Sequence, residues 1–107
     1  MATVPGMTVK LMVLYTQPDD PDAFDKHYLG VHGPLVDKLP GLDRWESAKF
    51  VAAPDGGEET YYRMAELYFA DPDAMQAALG SEEGAATAAD FAEIAPPGSR
   101  MLVAAVD

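Results

Sequence analysis

The 107-residue chain has no cysteine and only seven lysines and arginines. Without thiols there can be no disulfide, no thiolate metal ligand and no cysteine nucleophile. Seven cations against 18 acids leave a formal charge of −11. Nucleic acid is held largely by neutralising its phosphates, so a chain this poor in cations offers no nucleic-acid face. Anionic membrane surfaces are disfavoured on the same ground. No apolar run reaches the ~20 residues that span a bilayer. The opening MATVPGM has neither a cationic start nor a long apolar core, so it does not read as a secretion signal. These absences point to the cytoplasm, and the acidity reads as solubility.

What is present is a globular composition, 49% apolar. The length predicts one domain over residues 1–107, with 1–7 as an N-terminal tail. Residues 8–15 are β-branched and apolar and end at a turn, which predicts a strand. Asp20 before Pro21 is an N-cap followed by proline at the first helical position. Phe24, Tyr28, Val31, Leu35 and Leu39 then draw one helical stripe, stopped at Pro40 and Gly41. Residues 42–52 and 60–70 predict two strands joined by the turn at 53–58. Asp71-Pro72 opens a second helix through Leu79. Ser81 caps an alanine-rich segment through Ile94, and residues 100–106 predict the last strand. The order β-α-β-β-α-β is the split, ferredoxin-like pattern: an α+β fold with an antiparallel sheet and helices on one face.

The strands do not alternate apolar with polar. Val9, Leu11, Val13 and Tyr15 point one way, while Met12 and Leu14 share the other face with Lys10. Residues 101–106 are apolar on both faces. Two helices cover one face only, so the other calls for a second copy of the chain and a dimeric α/β barrel.

The first helix carries a break beside a histidine. Pro34 has no N–H, so the Gly30 carbonyl loses its helical partner, and Gly33 gives the backbone room to bend. The stripe continues in phase from Val31 to Leu35, which predicts a kinked or locally unwound helix with His32 in the bend. His32 falls at the margin of the apolar stripe, where an imidazole can be tuned as an acid-base group, with Tyr28 one turn before it. On a regular helix His27 lies about 140° around from His32, so the two are not expected on one face. A packing role is the simplest reading of a single marginal histidine.

Glu66 interrupts an apolar strand. It is either a buried acid-base group or a partner for Arg63 or Arg44. Alternation puts Tyr62, Met64 and Tyr68 on its face, an aromatic wall suited to a small aromatic ligand. There is no phosphate loop, no dinucleotide fingerprint and no acid spacing that favours a metal.

The pattern Phe24, Tyr28, His32, Pro34, Leu35, followed by Leu39-Pro40-Gly41-Leu42, Trp45 and Glu46, resembles the signature of the EthD family. The resemblance implies a ferredoxin-like protomer of the dimeric α/β-barrel superfamily. It also implies small-molecule catabolism: the name-giving member is associated with ether degradation by a cytochrome P450 system, and relatives include isomerases, anthrone oxygenases and decarboxylases. In isomerase-like relatives the histidine of His32-x-x-Leu35 does acid-base work, and that role carries to His32 alone. The family often has tyrosine where this chain has Trp45, which keeps the stacking surface and loses the phenol's acid function.

The expectation is an EthD-like enzyme, an oxidoreductase, oxygenase or isomerase acting on a small aromatic or lactone-like metabolite. His32 and Tyr28 would be catalytic, and Tyr15, Trp45, Tyr62, Met64 and Glu66 would bind substrate. No cofactor or metal is expected; haem on His32 is an alternative drawn from more distant barrel relatives. The competing expectations are a non-catalytic module that shelters a ligand for an oxygenase, and a purely structural dimer.

Overall fold

The computed structural model describes residues 7–107, so all of the expected tail except Met7 lies outside the described residues. Its elements run β1 (Val9–Thr16), α1 (Pro21–His27), a π-helical turn (Tyr28–His32), α2 (Gly33–Asp37), β2 (Leu42–Lys49), β3 (Tyr61–Phe69), α3 (Pro72–Leu79), α4 (Glu82–Ile94) and β4 (Arg100–Ala105). The four strands form one antiparallel sheet in the order β2-β3-β1-β4. This is the ferredoxin-like α+β fold expected from the element order.

The expected caps form. Asp20 accepts from the Ala23 amide at 3.1 Å, Asp71 from Ala74 at 2.8 Å and Ser81 from Gly84 at 3.0 Å. Each satisfies an amide that the helix start leaves without a partner, worth about 1 kcal/mol. Lys38 caps the end of α2, and Gly41, with φ +74°, makes the turn into β2. Gly84 is demanded by closeness rather than by φ: a Cβ there would lie 2.3 Å from the Ala78 carbonyl. That contact seats the start of α4 on the end of α3.

The core lies between helices and sheet. Val9, Leu11, Val13 and Tyr15 of β1 and Ala65, Leu67 and Phe69 of β3 pack against Phe24, Tyr28, Val36, Leu39, Met75 and Ala78. The register places Val9, Leu11 and Val13 opposite Phe69, Leu67 and Ala65, so these residues share the covered face. Met12 and Leu14 are only half-buried on the other face, beside Leu102 and Arg100 of β4. Leu102 is 39% exposed. Two-faced apolar strands are therefore real, and a single chain leaves one face open.

The break in the first helix is a π turn. The Gly33 amide reaches back to the Tyr28 carbonyl, five residues away instead of four. Pro34 has no amide to give Gly30, so the turn widens where the ladder is already interrupted.

Candidate functional site

A cavity of about 240 Å3 lies between the covered face of the sheet and the helices. Leu11, Val13, Ala65 and Leu67 line it from the sheet, and Val36, Leu39, Thr87 and Phe91 from the helices. Tyr15, Tyr28 and His32 meet on its wall, and no Asp, Glu, Lys or Arg lines it.

His32 is held from behind. Its Nδ1 is 2.8 Å from Asp90 Oδ2, and Asp90 Oδ1 is 2.8 Å from His27 Nε2. Burial works against the ionised Asp90, but the hydrogen bonds from His27 and His32 outweigh it and hold the carboxyl below the usual range. An ionised carboxylate only accepts, so both facing nitrogens carry hydrogen. His32 is then the Nδ1–H tautomer, and its Nε2 lone pair faces the Tyr15 hydroxyl at 3.4 Å. At that distance the contact is weak. Burial pushes the Tyr15 phenol well above its ordinary value, and the neighbouring Tyr28 and Asp90 push the same way against Arg63. Tyr15 therefore stays a neutral donor. The result is a donor and an acceptor side by side at the end of an apolar chamber.

Tyr28 serves His32 differently. Its ring stacks on the imidazole, with centroids 5.5 Å apart and planes at 30°. The Arg63 guanidinium lies 4.6 Å from the centroid of the same ring. Burial raises the Tyr28 phenol while Ser47 and Arg63 pull it back, and its hydroxyl makes no hydrogen bond.

The other expected site residues do not line the cavity. Trp45 pairs with Leu67, so it points to the covered face, but its Nε1 donates to Asp37 at 2.7 Å and its ring lies against Gly33 under α2. Met64 and Glu66 pair with Leu14 and Met12 and so occupy the open face. Glu66 is bonded to Lys10 at 2.7 Å, rather than to Arg63 or Arg44. Tyr62 does not share their face. The register slips where Tyr15 pairs with Arg63 and Thr16 with Tyr61, leaving Tyr62 as the extra residue of a bulge. A bulge re-aims a side chain, and Tyr62 meets the Phe24 ring and donates to Asp25 at 2.7 Å.

Asp90 and His27 are the residues that sequence reasoning missed. The rotation separating His27 from His32 assumed 3.6 residues per turn, and the π turn spends five residues where a regular turn spends fewer. Both rings consequently reach one carboxylate. A signal for Asp90 did exist: it is an acid beside Phe91 in an alanine-rich helix, one turn after Thr87 and one turn before Ile94, on the side that carries the helix's apolar residues.

Comparison with known proteins bears on these features. The family model described as the EthD domain matches residues 17–97. An uncharacterised 11.0 kDa protein encoded between thcB and thcC in Rhodococcus erythropolis is 38% identical over 93 residues, covering 87% of this chain and 89% of the relative. A crystal structure of an EthD-family protein from Bacillus halodurans superposes with a TM-score of 0.87 at 38% identity, covering 92% and 97% of the two chains. Two more distant structures share the fold. The hydroxynitrile lyase of Passiflora edulis has a TM-score of 0.78 at 12% identity, with 96% of each chain covered. A dimeric ferredoxin-like protein of unknown function from Thermobifida fusca has 0.73 at 16%, with 95% and 93% covered. Among the described residues no group of histidine and carboxylate ligands is placed to hold a metal, and no helix is long and apolar enough to cross a membrane.

Proposed function

The chain belongs to the EthD domain family, and from that premise we propose that it is a cofactor-independent acid-base enzyme for a small, largely apolar metabolite. One observation carries the reading: Asp90 holds His32 by Nδ1, leaving Nε2 toward Tyr15, and both residues line the cavity. His32 takes a proton from the bound metabolite at Nε2. The imidazolium that forms is stabilised through Nδ1–H by Asp90, and Tyr15 donates to the oxygen on which charge develops. Tyr28 supports His32 through its stacked ring. The same proton transfer serves an isomerase, a lyase or an oxygenase that activates its substrate as an anion. That a hydroxynitrile lyase of Passiflora edulis shares the fold supports this reading.

Catabolism in the cytoplasm fits this reading, as does a homodimer. The open face with Met12, Leu14 and Leu102 is apolar enough to require cover, and a fold neighbour is dimeric. Sedimentation at micromolar concentration should find two chains per particle.

The test of the chemistry is turnover. Wild-type protein incubated with panels of small aromatic and lactone metabolites should convert at least one, followed by mass spectrometry. His32→Gln should lose about 10²- to 10⁴-fold of that rate while remaining folded. Undiminished conversion by His32→Gln would sink the proposal. A ligand that copurifies and is returned unchanged by the wild type supports the second reading, a carrier module, which the almost wholly apolar lining favours.

A further inference from the structure

The chamber has one polar corner. Of the polar side chains on its wall, the Thr87 hydroxyl is already spent on the Glu83 carbonyl at 2.8 Å. The Tyr28 hydroxyl is fully enclosed and so does not open on the chamber. That leaves Tyr15 and His32, whose mutual contact at 3.4 Å is weak, so a better-placed partner can replace it. The buried cation Arg63 does not line the chamber; it lies 4.6 Å from the Tyr28 ring and is bonded to Asp25 at 3.1 Å.

We propose that the site takes a neutral, single-ring metabolite with one hydroxyl, a phenol, whose oxygen caps the Tyr15–His32 pair from the chamber. This rests on the acid-base reading above for its tautomer assignment. His32 Nε2 can only accept, and Tyr15 stands ready to donate. A hydroxyl both donates and accepts, so one oxygen answers both: two atoms 3.4 Å apart can be capped by a third that lies about 2.8 Å from each, beside the pair rather than in the gap. An ether or a ketone accepts only, leaving Nε2 buried without a partner. A carboxylate would bring its charge into a chamber without a cation, in a chain of net charge −11.

The size agrees. A dry engineered cavity of ~150 Å3 holds benzene, and 240 Å3 holds a ring with a short substituent. On deprotonation the O–H bond breaks and the proton moves to Nε2. The electron pair stays on oxygen, which keeps the Tyr15 hydrogen bond, and the imidazolium faces Asp90.

Three probes of matched shape test this by calorimetry: 4-ethylphenol, 4-ethylanisole and 4-ethylbenzoate. The phenol should bind with a Kd of about 1 mM or tighter, the anisole about tenfold more weakly, and the benzoate more weakly than either. In His32→Leu the phenol's advantage over the anisole should shrink to about twofold or less. Circular dichroism checks that the variant folds. Independently of any variant, 4-ethylphenol should shift the His32 Nε2 signal in the 15N spectrum of the wild type.

Equal binding of phenol and anisole, preferred binding of the benzoate, no binding of the phenol, or an unmoved Nε2 signal each overturns the proposal. The acid-base reading is scored separately by turnover. A phenol that binds at His32 and is never converted leaves the present inference standing and removes that one. Turnover of an anionic metabolite that His32→Gln abolishes does the reverse.

Discussion

Two carboxylates gather donors beneath the same helix layer, and they do so to different ends. Asp25 on α1 accepts from Tyr62 at 2.7 Å, Arg63 at 3.1 Å and Lys49 at 3.2 Å. Asp90 on α4 accepts from His27 and His32, both at 2.8 Å. The donors to Asp25 keep their protons at any ordinary pH, and none of them lines the cavity. The donors to Asp90 are imidazoles, and one of them borders empty space. Asp25 is thus a clasp that secures a buried cation, whereas Asp90 is a support for a group whose proton can move. Strong hydrogen bonds to a carboxylate do not mark a site; exchangeable donors beside a chamber do.

The comparison is sharpest if each acid is removed in turn. Asp90→Asn should cut turnover by about 10²-fold or more, because an amide that donates to Nδ1 favours the wrong tautomer of His32. Asp25→Asn should leave turnover within a few-fold. Equal losses from the two changes, measured on the same converted metabolite, would erase the distinction. Stability should respond in the opposite order. Asp25→Ala leaves Arg63, only 5% exposed, as an uncompensated buried charge, a cost of about 3 kcal/mol. Denaturant midpoints of the two variants check that ranking.

The pH dependence of stability follows from both acids at once. Asp25 is also held low: burial pushes it up, but hydrogen bonds from Tyr62, Arg63 and Lys49 prevail. A carboxyl lowered in the folded state contributes stability that is fully present above its unfolded value of ~4 and is lost as pH falls through its folded value. Unfolding free energy should therefore be flat with respect to these two groups above pH ~5 and decline below pH ~4. Either Asp→Asn change should make that acid decline shallower. An identical acid limb in Asp90→Asn and wild type would show that His27 and His32 do not support the carboxylate.

The contrast also separates what the sequence makes legible from what it hides. Capping residues, the kink at Pro34 and the two-faced strands all follow from local rules, since each depends on residues a few positions apart. The Asp25 clasp and the Asp90 support join elements far apart in the chain. Asp90 and His32 are 58 positions apart, and Arg63 and Asp25 are 38. Nothing local ties them. Two irregularities then redirect side chains that regular geometry would place elsewhere: the π turn brings His27 onto Asp90, and the β3 bulge takes Tyr62 away from Glu66 and onto Asp25. Each adds one residue to its element, and one residue is enough to change the face. His32 was legible because Pro34 marks the bend beside it, and Tyr15 and Tyr28 because their stripes face the core.

The smallest expected effect discriminates between the two tyrosines that touch His32. The Tyr28 hydroxyl is buried without a hydrogen bond, while its ring stacks on His32 and lies 4.6 Å from the Arg63 guanidinium. Removing that hydroxyl breaks no bond and frees a buried polar group from an unsatisfied state. Tyr28→Phe should therefore be neutral or stabilising by up to about 1 kcal/mol, with turnover within about twofold of wild type. Tyr15→Phe removes the donor at the polar corner, and turnover should fall by at least tenfold at similar stability. If Tyr28→Phe proves the more damaging of the two, the catalytic phenol belongs to the helix and not the strand.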